Sequence, residues 1–206
     1  RLGASFTVLS NGRLAVRDTN DAAGGSIYIS DGSVTPAAPL NVQSIINPNA
    51  TAGDSFGASS SGSHVVELSN GNFAIGAGAS DLVGVDDTIQ NVGRVYLFSA
   101  DGTLISTLSG SSLNDNIGNS VFNLNNGNAV VQGFQWNNGT GAVTFIDGTT
   151  GLNGVVSASN SLVGSSAFDG VGRSGLLVLN NGNYVVRSTA WRNGSATSAG
   201  AVTWVN

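Results

Sequence analysis

The acidic side chains that could act together lie in one loop, at Asp81, Asp86 and Asp87. Paired carboxylates can serve glycoside hydrolysis as acid and base, and a carboxylate cluster can bind calcium. The chain has a single Glu, so the residue most often used as the general acid is poorly supplied. The loop therefore predicts a weak calcium site, with a hydrolase as an open alternative.

The single histidine, His64, is the one base that could complete a Ser-His-Asp triad. No nucleophile-elbow motif accompanies it. We interpret His64 as a surface or structural residue and predict no catalytic residue.

Two tryptophans open loops of similar sequence. Trp136 begins the sequence Trp-Asn-Asn-Gly, and Trp191 begins Trp-Arg-Asn-Gly with Arg192 beside it. An exposed indole next to amide or guanidinium groups can stack on a sugar ring or anchor a protein partner. Aromatic residues that recur in a repeat also pack one unit against the next, and we favour this interpretation.

Composition excludes several classes of protein. The 206 residues carry a net charge of −5 and contain no Cys. An acidic chain without Lys lacks the basic surface that nucleic acid requires. Its longest apolar runs are far shorter than the ~20 residues of a membrane-spanning helix. Without cysteine, disulfides and thiolate metal sites cannot form.

An Asn-Gly pair recurs four times, preceded by Leu and one further residue and followed by a short apolar run. Asn and Gly tolerate the positive φ angles that two-residue hairpin turns require, so each pair predicts a hairpin between two strands. The repeat period is about 55 residues, close to the size of a four-stranded propeller blade. The four pairs are Asn11–Gly12, Asn70–Gly71, Asn126–Gly127 and Asn181–Gly182.

An acid also recurs at a fixed offset, three residues before a glycine that follows an apolar residue. Its members are Asp54, Asp115 and Asp169. A repeated acid of this kind is more typical of a hydrogen-bonded turn than of catalysis.

These patterns predict an all-β chain made of four four-stranded antiparallel repeats, arranged as β-propeller blades. The repeats span 1–53, 54–114, 115–168 and 169–206 within a single domain 1–206. The blades form either a ring of four or a fragment of a larger propeller or array. The last repeat lacks a sequence for its fourth strand. We therefore expect copies of the chain, or further repeats, to complete that edge.

The second repeat contains Phe56–Gly57, Gly76-Ala77-Gly78 and the sequence Gly93-Arg94-Val95-Tyr96-Leu97-Phe98. This combination resembles the FG-GAP repeat of integrin-α-type β-propellers. The later repeats, with Asn-Gly-Asn followed by apolar residues, resemble uncharacterised tandem repeats of long secreted bacterial adhesin-like proteins. FG-GAP repeats often carry an acidic calcium loop, but a tight hairpin stands in its place here. The family's metal site is therefore not expected.

The resemblance and the composition together predict a non-enzymatic, extracellular structural or adhesive module, as in a filament or surface layer. It would have no cofactor beyond weak calcium. Two alternatives stay open: a lectin-like propeller that binds surface glycans or proteins through its loop tryptophans, and a hydrolase. Neither nucleic acid nor a membrane is an expected partner.

Overall fold

A computed structural model describes residues 2–18, 25–30, 42–49, 54–59, 62–63, 65–83 and 88–206. Three residues singled out above, His64, Asp86 and Asp87, lie outside the described residues. The helical content of the described part is confined to short turns, none of which could span a bilayer.

The described residues form four main sheets in sequence order, built mostly of antiparallel strands. Sheet 1 contains β1 (Leu2–Val8), β2 (Leu14–Asp18), β3 (Ser26–Ser30) and β4 (Val42–Ile46). A short hairpin of β5 (Ala58–Ser59) and β6 (Gly62–Ser63) follows. Sheet 2 contains β7 (Val65–Glu67), β8 (Phe73–Ala77), β11 (Arg94–Phe98) and β12 (Leu104–Ser109). A two-stranded hairpin of β9 (Leu82–Val83) and β10 (Thr88–Ile89) lies within the second repeat.

The other two sheets follow the same plan. They are sheet 3, with β13 (Val121–Asn123), β14 (Ala129–Gly133), β15 (Ala142–Ile146) and β17 (Ser161–Val163), and sheet 4, with β18 (Leu176–Val178), β19 (Tyr184–Ser188) and β20 (Ala201–Val205). A single turn, α1 (Trp136–Gly139), joins β14 to β15. The all-β prediction is confirmed, and the predicted hairpins fall between the first and second strands of each sheet.

The hairpin turns differ from the predicted type. In sheet 2 the loop has three residues, because Leu68 and Asn72 close it and the N–H of Gly71 donates to Leu68 O at 2.9 Å. Gly71 has a positive φ of 87°, whereas Asn70 is absent from the left-handed residues. Only the glycine needs that conformation. Asn70 instead uses its Oδ1 to accept the N–H of Asn72 at 3.1 Å, which explains its recurrence.

The predicted fourth strand of the third repeat is displaced. The first segment after β15, β16 (Gly154–Val155), leaves its own sheet and pairs in parallel with β12 of sheet 2. Asn153 Oδ1 also accepts the N–H of Thr107 at 2.9 Å. The displaced segment satisfies backbone groups at the edge of sheet 2, and the later β17 completes sheet 3.

The apolar core is divided among the three junctions between consecutive sheets. Alternate residues of each strand point to opposite faces, so each inner sheet contributes to two core clusters. In β14, for example, Ala129 and Val131 join the cluster shared with sheet 2, and Val130 joins the cluster shared with sheet 4. Phe73 and Ile75 of β8 pack in the same way against sheet 1. Each sheet is therefore stabilised mainly by its neighbours.

The four sheets do not close into a ring. Phe6 of sheet 1 is 67% exposed and Val202 of sheet 4 is 76% exposed, and both lie on outer faces that a closed ring would cover. The described structure is thus an open series of four sheets, and a four-bladed closed propeller is not observed.

Candidate functional site

The recurring acids form buried braces beneath the loops. Asp115 is buried, and its Oδ2 accepts the N–H groups of Ser111 and Ser112 at 2.9 and 2.8 Å. Its Oδ1 accepts the N–H of Asn137 at 2.8 Å. The carboxylate therefore joins the segment before the first strand of the repeat to the loop that starts at Trp136.

Asp169 repeats the arrangement one unit later. Its Oδ2 accepts the N–H groups of Ser165 and Ser166, both at 2.9 Å, and the hydroxyl of Ser165 at 3.1 Å. Its Oδ1 accepts the N–H of Arg192 at 3.3 Å. Burial acts to raise the pKa of this carboxyl. The hydrogen bonds from Ser166, Ser165 and Arg192 outweigh burial, so the pKa lies below its ordinary value. The acid is held ionised as a structural acceptor.

Asp54 lies in a different environment, a buried polar cluster between sheets 1 and 2. Its Oδ2 accepts the amide of Asn47 at 3.1 Å, and Arg94 and Tyr96 are also buried nearby. Burial raises the pKa of the Tyr96 phenol to about 12, despite the opposing positive charge of Arg94. Among the described residues, neither the Tyr96 hydroxyl nor that of Ser80 has a hydrogen-bond partner of good geometry. The cluster has no equivalent in sheet 3, where Ala142 and Thr144 replace Arg94 and Tyr96.

The Asn-Gly hairpins contact one another from repeat to repeat. Asn70 and Asn72 donate their amides to Gly148 O at 2.9 and 2.7 Å, which links the hairpin of sheet 2 to the last turn of sheet 3. Asn126 packs on Gly182, where an added β-carbon would lie only 2.5 Å from its Nδ2. A side chain at Gly182 would therefore push the two hairpins apart.

The first hairpin uses an ion pair for the same purpose. The backbone N–H and hydroxyl of Ser10 donate to Glu67, the single Glu of the chain. Arg13 pairs with Glu67 and lies over the ring of Phe73, 5.8 Å from its centroid. Arg13 occupies the place of Asn72 in the next repeat, so a charged pair replaces the amide contact here.

Trp136 has features that both interpretations of the tryptophans expect. Its ring is half-buried and packs against the core cluster of sheets 2 and 3, as the packing interpretation expects. It also lines an open groove of about 410 Å³ with Asn137, Asn138, Thr140 and Ser165. Asn137 and Asn138 have positive φ angles of 48° and 56°, a backbone conformation that is uncommon for residues other than glycine. The groove combines an apolar ring with amide and hydroxyl groups.

Trp191 and Arg192 start the corresponding loop in sheet 4. Both are half-buried, and the Trp191 N–H donates to Ser188 O at 3.2 Å. Arg192 contributes its backbone N–H to the brace at Asp169 rather than joining Trp191 and Trp136 in one site. Neither Trp191 nor Arg192 is among the residues that line the groove at Trp136.

The predicted calcium loop is described only at Asp81. Its Oδ1 accepts the N–H of Asn91 at 2.7 Å, so one carboxylate oxygen already serves the loop. Across the described residues, no cluster of three or more His, Asp, Glu or Cys side chains could hold a metal ion. The weak calcium site therefore stays a prediction.

Sequence reasoning did not single out the exposed apolar outer faces of sheets 1 and 4. The outer face of sheet 4 combines Leu177, Val185, Val202 and Trp204, aligned by strand register, with the exposed Arg187 opposite Val202. The period-two alternation of these strands could have identified the residues that share this face.

Comparison with known families adds a match for the later part of the chain. Residues 123–173 and 178–206 match a family model described as a repeat of unknown function (DUF5650). The two matched segments begin three residues before Asn126 and Asn181, so the match has the same phase as the repeat deduced from the sequence. No curated protein matches the chain. The FG-GAP resemblance of the second repeat stays a prediction.

Proposed function

We propose that the chain is a non-enzymatic structural repeat module of an extracellular surface or filament protein. The observation that carries the proposal is the location of the core, which lies at the three junctions between successive sheets. A chain built in this way gains stability as units are added, which suits a spacer or array.

The use of the acids supports the same function. Asp115 and Asp169 each use both carboxylate oxygens to hold backbone N–H groups. A general acid or nucleophile needs a carboxyl group that is free to reach a substrate. The braces instead fix the loops between the second and third strands, which differ in length among the repeats and form the variable surface.

The test is the location and state of the native protein. Antibody raised against the chain should label unpermeabilised cells of the source organism, and the labelled protein should sediment with surface material. Recovery as a dispersed protein from the cell interior would contradict the proposal.

A glycan-binding function is the second candidate, because the groove at Trp136 has the composition of a sugar site. A glycan array followed by fluorescence titration tests it. Saturable binding that Trp136→Ala abolishes would favour this candidate. Trp204→Ala, a matched change on the outer face of sheet 4, should leave such binding intact. Trp191→Ala tests the corresponding loop in the same way.

A further inference from the structure

The outer faces of sheets 1 and 4 have the residue pattern of the two sides of an internal junction between sheets. In sheets 1 to 3, the third strand has an apolar residue buried against the following sheet: Ile27, Val95 and Val143, each at most 2% exposed. Val202 occupies the same register in sheet 4 but is 76% exposed. The last sheet therefore presents the face that receives a following sheet.

The first sheet presents the opposite half. The second strands of sheets 2, 3 and 4 begin with Phe73, Ala129 and Tyr184, all buried against the preceding sheet. Leu14 holds this place in sheet 1 and is exposed, as is its cross-strand partner Val8. Both complementary faces thus stand open on one chain.

Polar contacts at the internal junctions show a second match. Arg17 Nε donates to Phe56 O at 2.6 Å, and the Gln132 amide donates to Gly172 O. Both side chains come from the second strand of one sheet and reach the apolar-Gly pair of the next repeat. Arg187 has the same register and is exposed. The corresponding apolar-Gly pair of the first repeat is Leu2–Gly3.

The hairpins agree with this pairing. At the last two junctions, Gly127 and Gly182 are covered by Asn70 and Asn126 of the preceding hairpin, and Gly71 meets only Ala100. A β-carbon added at Gly12 would meet no atom within 4 Å. The space over Gly12 is where the Asn181 hairpin of a preceding unit would lie.

We propose that a second copy of this chain docks head to tail, with its sheet 1 covering sheet 4 of the first copy. The contact repeats the internal junctions, with Val202 and Trp204 buried and Arg187 donating to the Leu2–Gly3 backbone. Because the two faces differ, the contact is heterologous, and it joins copies head to tail into a closed ring or an open chain. This inference rests on the proposed structural function.

Sedimentation velocity of the 206-residue chain over a range of concentrations tests the contact. The unsubstituted chain should form species larger than the monomer. Val202→Lys should raise the protein concentration needed for association at least about tenfold, because it would bury an ammonium group beside the positively charged Arg187 on the neighbouring strand. Val83→Lys, the same change at an exposed valine outside both faces, should leave association unchanged. Circular dichroism would verify that both variants fold.

Cross-linking tests the direction of the contact, since the chain has no native cysteine. A short bismaleimide should join Phe6→Cys chains to Val202→Cys chains in a mixture, and should give few dimers with either variant alone. A chain that stays monomeric, or equal cross-linking within each single variant, would overturn the inference. A monomeric chain found in ordered surface material would refute this contact alone. A self-associating chain found dispersed inside cells would refute the proposed function alone.

Discussion

Replacing Asp169 by Asn tests the brace that fixes the Trp191 loop. The substitution preserves shape but removes the charge and turns one acceptor into a donor. Asn can keep its oxygen toward Ser165 and Ser166, but its NH₂ then faces the Arg192 N–H, which is left unsatisfied. The three remaining bonds lose their charge assistance.

The expected magnitude follows from these contacts. Hydrogen bonds to a charged group contribute about 1.5–3 kcal/mol each, and an unsatisfied buried group costs about 1–3 kcal/mol. Because Asn keeps part of the interaction, we expect Asp169→Asn to lower the free energy of unfolding by about 3 kcal/mol. Asp147→Asn is the control. Asp147 accepts two backbone N–H groups at 2.9 and 2.8 Å, but near the surface, so its loss should be much smaller.

Urea denaturation followed by tryptophan fluorescence measures the difference, first at pH 7 and then at lower pH. The folded pKa of Asp169 lies below the unfolded value of about 3.9, so the unfolded chain binds more protons. The carboxylate's stabilisation is complete above that pH and is lost as pH falls through the folded pKa. The difference in the free energy of unfolding between the original chain and Asp169→Asn should therefore become smaller below about pH 4. A loss at pH 7 equal to that of Asp147→Asn, or a gap independent of pH, would refute the brace.

Three further predictions concern the packing between sheets. The Tyr96 phenol, with a folded pKa of about 12 against about 10 when unfolded, stabilises the fold below pH 10 and loses that contribution as pH rises toward 12. Tyr96→Phe should therefore reduce the alkaline loss of stability measured by urea denaturation, and an unchanged alkaline profile would contradict the assignment. Gly182→Ala should lower the melting temperature more than Gly175→Ala. Both glycines have positive φ, but an added β-carbon meets Asn126 at Gly182 and open space at Gly175. Equal losses of melting temperature would count against the hairpin contact. Ile75→Ala, in the core between sheets 1 and 2, should lower the free energy of unfolding by about 2–5 kcal/mol. Ile46→Ala, on the exposed outer face of sheet 1, should lower it far less in the monomer. Similar losses for the two variants would contradict this location of the core.

Local sequence signals predicted the strands and hairpins well because turn residues and apolar alternation act over short distances. The Asn70–Gly71 hairpin was correctly placed, but its turn type was wrong, since the Asn side chain bonds the backbone instead of entering the left-handed region. The shift of Gly154–Val155 to sheet 2 depends on an open edge formed by a distant strand. No local pattern contains that information.

The candidate site was less accessible to sequence reasoning for the same reason. The repeat spacing of Asp115 and Asp169 pointed to turns, but their second contacts, to Asn137 and Arg192, join segments more than twenty residues apart. The exposure of Val202 likewise depends on whether another sheet covers it. Its sequence pattern is the same as that of the buried Val143.

Electron microscopy of the native protein tests the central claim most directly. If the chain is a structural module whose sheets are stabilised by their neighbours, the images should show an ordered filament or layer built from stacked units. Isolated particles of single-chain size, with no ordered assembly at native concentration, would contradict it.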